Sequence, residues 1–167
     1  MGLLNKMWNR FHVDTFVKAC KYGDESQCFI MLKSEPELAY VKDKKGISAL
    51  FHAVANGHNR IAELILSITR QPNDIEPEKG FSPLLLAATS GHIGLVRILL
   101  EYGSDPDLRN FDGVTALHNA VFEKHYDIVA MLLDSGADPN IKDRLGNTAF
   151  HLAEISNDSR IIGLFDR

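Results

Sequence analysis

One spacing governs this chain: Gly46, Gly80, Gly113 and Gly146 stand 34, 33 and 33 residues apart, and a related string follows each of them. Ser48-Ala49-Leu50-Phe51, Ser82-Pro83-Leu84-Leu85, Thr115-Ala116-Leu117-His118 and Thr148-Ala149-Phe150-His151 share one offset, and Ala53, Ala87, Ala120 and Ala153 each lie five residues beyond the hydroxyl. The same offset run backwards from Ala53 reaches Ala19, with Phe16 where Leu50 would be and Gly23 where Gly57 would be. Five copies of a unit of about 33 residues therefore fill nearly the whole chain, the first of them degenerate. A unit this short cannot enclose a core alone, so each copy must bury its apolar faces against its neighbours.

The chemistry of each position fits a pair of helices. Ser48, Ser82, Thr115 and Thr148 are placed to cap a helix N-terminus, whose first N–H groups need an acceptor, and Pro83 suits a first turn because it has no N–H to lose. Small alanines let the first helix pack closely. Ile, Val and Leu at 61, 64, 65 and 66, at 95, 96, 98, 99 and 100, and at 128, 129, 132 and 133 give the second helix an apolar face of helical period. Gly57-His58 and Gly91-His92 begin second helices, and Leu99-Leu100-Glu101-Tyr102-Gly103 and Leu132-Leu133-Asp134-Ser135-Gly136 end them.

On these strings the chain resembles the ankyrin repeat. The resemblance implies an all-α solenoid of stacked helix-turn-helix units with projecting turns. It forms a single domain: residues 1–11 as an N-terminal cap, then repeats at about 12–42, 43–76, 77–109, 110–142 and 143–167. The chain departs from the pattern in places. The junction Ser67 to Lys79 lacks the expected glycine, holds two prolines and is one residue longer; Lys124 stands where the glycine of Gly-His belongs, which forces a non-glycine residue into a left-handed or strained conformation; Asn157-Asp158 replaces that pair in copy five. Glu154, Asp158 and Arg160 suit a terminal unit with one face in water. Leu3, Leu4, Met7, Trp8 and Phe11 form an amphipathic stripe, read as a cap over copy one, with a partner-binding or membrane-surface helix as the sharper readings.

Composition narrows the partners. With 18 Lys plus Arg against 22 Asp plus Glu the formal charge is −4, so no general basic field favours nucleic acid. No apolar run reaches membrane-spanning length, Lys6 stands where a myristoylation signal wants Ser or Thr, and a soluble, cytoplasmic chain that is monomeric by itself is expected. Cys20 and Cys28 are too few for a disulfide framework and read as small buried thiols of a reducing compartment. His58, His92 and His125 take equivalent places in successive copies, too far apart to share a metal, so no metal or other cofactor is expected. His118 and His151 occupy the family's structural histidine position; His12 and His52 stay unassigned. Phosphate-binding, nucleophile-elbow and zinc-protease motifs are missing, and an enzyme is not expected.

The resemblance implies binding of another protein through the concave side, built from turn tips and first-helix ends. The tips flank each glycine: Lys44, Lys45 and Ile47; Glu78, Lys79 and Phe81; Phe111, Asp112 and Val114; Arg144, Leu145 and Asn147. From these and the helix ends the expected contact set is Tyr22, Lys44, Lys45, Asn56, Phe81, Phe111, Asp112, Phe122, Glu123 and Ile155. Tyr22, Phe81, Phe111, Phe122 and Ile155 are the apolar anchors, since large apolar side chains at normally exposed positions need a reason. Lys42, Lys44 and Lys45 read as a solvated turn or as an acidic-partner contact. Two functions follow: a small cytosolic inhibitor or sequestering protein, of the immunity or kinase-inhibitor type, or the targeting domain of a larger scaffold, secreted effector or channel protein.

Overall fold

A computed structural model of the chain describes residues 2–166, with side chains from Arg10 onward. It is a stack of helix pairs. Copy one holds α1 (Gly2–Tyr22) and α2 (Glu25–Ser34), followed by a 3-10 turn (Pro36–Tyr40). Then come α3 (Ala49–Ala55) with α4 (Asn59–Thr69), α5 (Pro83–Thr89) with α6 (Ile93–Glu101), α7 (Ala116–Phe122) with α8 (Tyr126–Asp134), and α9 (Ala149–Ser156) with the short α10 (Ser159–Ile162). Among the described residues extended pairing is confined to two isolated bridges, Lys42 with Ser48 and Lys142 with Thr148, each closing a turn tip.

The first helices start where the hydroxyls are. Ser48, Ser82, Thr115 and Thr148 accept from the backbone N–H of Phe51, Leu85, His118 and His151, so one orphan donor of each helix is satisfied. The helices α1, α3, α5, α7 and α9 pack one on the next. Ala19, Ala53, Ala87, Ala120 and Ala153 lie at these contacts, all but fully buried. Each second helix packs against its own first helix and adds Ile61, Ile65, Leu66, Leu95, Leu99, Ile128 and Leu132 to one continuous core.

The Gly-His pair couples neighbouring copies. Gly23, Gly57 and Gly91 hold φ of 81°, 77° and 72°, and the ring of the next copy's histidine lies against each of them. An added Cβ would stand 2.6 Å from His58 at Gly23, 3.2 Å from His92 at Gly57 and 2.8 Å from His125 at Gly91. The rings also reach back: Nε2 of His58 pairs with the Lys21 carbonyl and Nε2 of His125 with the Thr89 carbonyl. These histidines begin their helices without capping them.

The departures follow the same logic. Lys124 does adopt the left-handed conformation, with φ 59°, and the residue after it in register is Asp158, so no ring crowds its Cβ. Its Nζ instead lies 3.8 Å from Asp158 Oδ2. Asp158 also accepts from the Tyr126 hydroxyl and caps α10. Thr69 stands in register with Gly103 and Gly136 and stays helical, and the left-handed residue that ends α4 is the next one, Arg70, with φ 52°.

The extra residue of copy three sits in its tip. Elsewhere a short side chain holds the turn: Asp43 accepts from the N–H of Lys45 and Ile47, Asn110 from Asp112 and Val114, Asp143 from Leu145 and Asn147. In copy three the longer Glu76 spans the insertion, accepting from Glu78 N at 2.6 Å and Lys79 N at 2.9 Å.

Candidate functional site

The turn tips form a partial ladder. Phe111 N–H donates to the Lys79 carbonyl and Arg144 N–H to the Asp112 carbonyl, which ties the tips of copies three, four and five together. Between copies two and three Pro77 lies against Gly46 instead. The contact residues expected from sequence are distributed over this ladder and over the C-terminal ends of the first helices.

Phe122 and Ile155 are the same repeat position on the neighbouring helices α7 and α9, and they are 72% and 65% exposed. Glu123, also exposed, follows Phe122 at the helix end. The tips of the same two copies carry Phe111, half exposed at 49%, and Leu145 at 86%. These four apolar side chains fall on copies four and five, Phe122 and Ile155 near the C-terminal ends of first helices about 10 Å long, Phe111 and Leu145 in the tips that precede those helices. Leu145 belongs in the set although the expected anchors left it out. It shares its offset from the glycine with Lys45, Lys79 and Asp112, and it is the apolar member of that series.

Phe81 corrects the sequence expectation. It is half-buried and packs on the core rather than standing free at the tip. The reason is its register: with Ile47, Val114 and Asn147 it follows the glycine by one residue, where the chain turns back toward the stack and the Phe81 carbonyl accepts from Glu76 N–H. Phe111 partly serves packing too, since its ring edge covers Gly80.

The remaining positions lie apart from that group. Tyr22, 73% exposed, ends α1 three copies away. Asn56 caps the end of α3, and its Nδ2 donates to the His52 carbonyl. Lys45 is exposed; Lys44 lies 4.0 Å from Asp14 and Lys42 is bound to Asp74 at 2.7 Å, so two of the three tip lysines already face a carboxylate. Asp112 pairs with Arg144 at 3.1 Å across the tips.

The amphipathic stripe at the start of α1 is described only at Phe11, which is 67% exposed, so it does not lie over copy one there. The side chains of Leu3, Leu4, Met7 and Trp8 are outside the described residues. Helix α1 runs unbroken from Gly2 to Tyr22, so the expected boundary between a cap and copy one after residue 11 does not interrupt the helix.

The histidines have structural partners. His118 is buried, completes a capping box with Thr115 and reaches the Asn147 carbonyl of the next copy. His52 binds Asp43 at 2.9 Å and His12 binds Glu35 at 2.7 Å, which accounts for the two unassigned rings. Burial pushes the Asp43 carboxyl up, but the N–H donors of Ile47 and Lys45 together with His52 outweigh it and hold the group below its ordinary value. Among the described residues no three of His, Cys, Asp or Glu converge as a metal-binding group, and no helix is long and apolar enough to cross a membrane.

One surface feature was not legible as a site. A groove of about 550 Å³ lies between the second helices, with Phe29, Leu64 and Tyr102 as its apolar lining and Glu25, Arg60 and Glu63 at its edge.

The family description "Ankyrin repeats (3 copies)" matches residues 16–110, 73–143 and 102–164. Among known proteins the chain is 36% identical over 77 residues to Protein HOS4 of Saccharomyces cerevisiae, an overlap of 46% of this chain and 7% of that protein. It is 33% identical over 86 residues to a putative ankyrin repeat-containing protein of Treponema pallidum, covering 52% of this chain and 29% of the relative. To the human palmitoyltransferase ZDHHC13 it is 28% identical over 104 residues, 62% of this chain and 17% of the relative. The chain thus spans less than a third of the length of each.

Proposed function

Because the chain belongs to the ankyrin-repeat family, whose repeats form a non-catalytic protein-interaction fold, we propose that it holds a partner protein against the tips and first-helix ends of copies four and five. The observation that carries this reading is the exposure of Phe122, Ile155, Phe111 and Leu145 on two adjacent copies. Burying one such side chain against a partner contributes on the order of 1.5 to 3 kcal/mol, and Phe122, Ile155 and Leu145 contribute little to the core where they now stand. Glu123, Asp112 and Arg144 supply the polar rim. Tyr22, Lys45 and Asn56 extend the contact toward the other end of the stack.

Within this reading the chain is a small cytosolic inhibitor or sequestering protein, monomeric until it meets its partner, because a binding surface acts by covering a surface. The test takes the partner captured on immobilised wild-type chain and measures its affinity for Phe122→Asp, Ile155→Asp and Leu145→Asp. Each should weaken binding by at least about 2 kcal/mol, the range of an interface hot spot, with the helical spectrum unchanged. Retention of full affinity by all three overturns the reading.

The length of the relatives favours a second reading, that of a targeting or adaptor domain within a larger protein, since Protein HOS4 and the palmitoyltransferase ZDHHC13 are each several times longer than this chain. Titrating the chain into an activity assay of the captured partner separates the two. An inhibitor removes activity stoichiometrically; an adaptor leaves it intact.

A further inference from the structure

We propose that Cys20 and Cys28 are a modification site: a dithiol that a peroxide oxidises to an internal disulfide, joining α1 to α2 in the first copy. The two residues lie on consecutive helices, either side of the Gly23–Asp24 turn, and their Sγ atoms are 3.7 Å apart. Both are free thiols with no exposed surface. A disulfide needs about 2.05 Å, so the sulfurs must approach by about 1.7 Å.

The pairing of two sulfurs is particular to copy one. In register, the two positions are filled by Val54 and Ala62 in copy two, Ala88 and Val96 in copy three, and Val121 and Val129 in copy four. All six are buried. Small apolar side chains serve those core positions, and copy one alone places a sulfur at both.

Position divides the roles: Cys28 lies in the first turn of α2, whose N-terminus favours a thiolate, and Cys20 in the last turn of α1, whose C-terminus does not. The hydrogen bond between the two sulfurs, with Cys20 as its partner, holds the Cys28 thiol below its ordinary value, although burial and the carboxylates of Asp24 and Glu25 oppose it. The same hydrogen bond, with burial, pushes the Cys20 thiol up. Cys28 is therefore the attacking sulfur and Cys20 the resolving one.

The Cys28 thiolate attacks one oxygen of hydrogen peroxide; the O–O bond breaks, hydroxide leaves and Cys28 becomes a sulfenic acid. The Cys20 sulfur then attacks the Cys28 sulfur. The S–S bond forms, the S–O bond breaks, and the departing oxygen takes the Cys20 proton and leaves as water. Two thiols have lost two electrons and two protons, and one peroxide has become two waters.

Burial sets the access route. Among the described residues copy one packs on copy two, and local opening of α1 from α2 admits the oxidant. The consequence reaches copy two, because Gly23 and the Lys21 carbonyl are the seat of the His58 ring. Joining α1 to α2 fixes that seat.

The experiment treats the folded, reduced chain with hydrogen peroxide, then denatures it and measures intact mass and thiol alkylation. The expected product is a monomer lighter by two hydrogens, with both cysteines closed to alkylation, restored by dithiothreitol. Its thermal midpoint should exceed that of the reduced chain by about 5 °C or more. Thiols that stay open to alkylation, oxygen addition without a disulfide, or an unchanged midpoint would each overturn the proposal. The order of attack is read with dimedone, which traps sulfenic acid, on Cys20→Ser and Cys28→Ser chains of unchanged helical spectrum. Cys28 should be trapped in the first far faster than Cys20 in the second; equal trapping contradicts the assignment of roles.

Discussion

Replacing Gly91 by alanine isolates the coupling between copies three and four. Gly91 holds φ 72°, and a Cβ built there lies 2.8 Å from His125 Cε1 and 3.0 Å from Nε2, closer than side chains pack. Two costs follow. Holding alanine in the left-handed region takes about 1–2 kcal/mol, and displacing the ring breaks the 3.3 Å hydrogen bond from His125 to the Thr89 carbonyl, worth about 1 kcal/mol. The sum, about 2–3 kcal/mol, lowers the thermal midpoint of a chain this size by about 4–12 °C. The natural departure supplies the control. Lys124 carries a Cβ at the corresponding position of copy four, where the next copy offers Asp158 in place of a ring. In a His125→Asp background Gly91→Ala should therefore cost about 1 kcal/mol less than in the wild type, the conformational part alone remaining. Circular dichroism melts of the four chains of this cycle give the answer. An alanine that costs the same with and without the ring refutes the reasoning.

Other consequences concern the core, the copy-three tip and acid. Ala87→Leu or Ala120→Leu overpacks a fully buried helix contact and should destabilise by about 1–3 kcal/mol in thermal unfolding; an unchanged midpoint places the wrong face inside. Glu76→Ala leaves the Glu78 and Lys79 N–H groups without their acceptor and should cost about 1–2 kcal/mol, with Glu76→Gln, which keeps one acceptor, lying between; urea melts check the order. Asp143 is partly raised by burial but held below 3.8 by the Asn147 and Leu145 donors, so its contribution is complete above the unfolded value of 3.8 and is lost as pH falls through the folded one. Asp143→Asn should keep the turn, as Asn110 does in copy four, while flattening the loss of stability below about pH 4 in acid titrations.

The period, the caps, the buried alanines and the left-handed Lys124 were all readable from one line of text, because each depends on a residue's place within its own unit. What was not readable depends on contacts one whole unit away. Register shows that His125 and His92 are equivalent, but not that each ring lies on the glycine of the preceding copy. Glu76 looked like any loop carboxylate until its two N–H donors were placed. Phe81 could have been read correctly: Ile47 and Val114 share its register, and recurrent apolar residues mark an inward position. Leu145 was a tip residue by spacing, but its 86% exposure emerges only from the fold. The contact between Cys20 and Cys28 arises from the crossing of α1 and α2, which no spacing states.

The central claim is that the tips and first-helix ends of copies four and five are the binding face. Placing a photo-crosslinking amino acid at Phe122, Ile155 or Leu145, and at Arg97 and Glu63 on the second helices, tests it in cells that make the protein. One shared covalent adduct is expected from the first three positions and little from the other two. Adducts from Arg97 or Glu63, with none from Phe122, Ile155 and Leu145, would contradict it and move the partner to the opposite side of the stack.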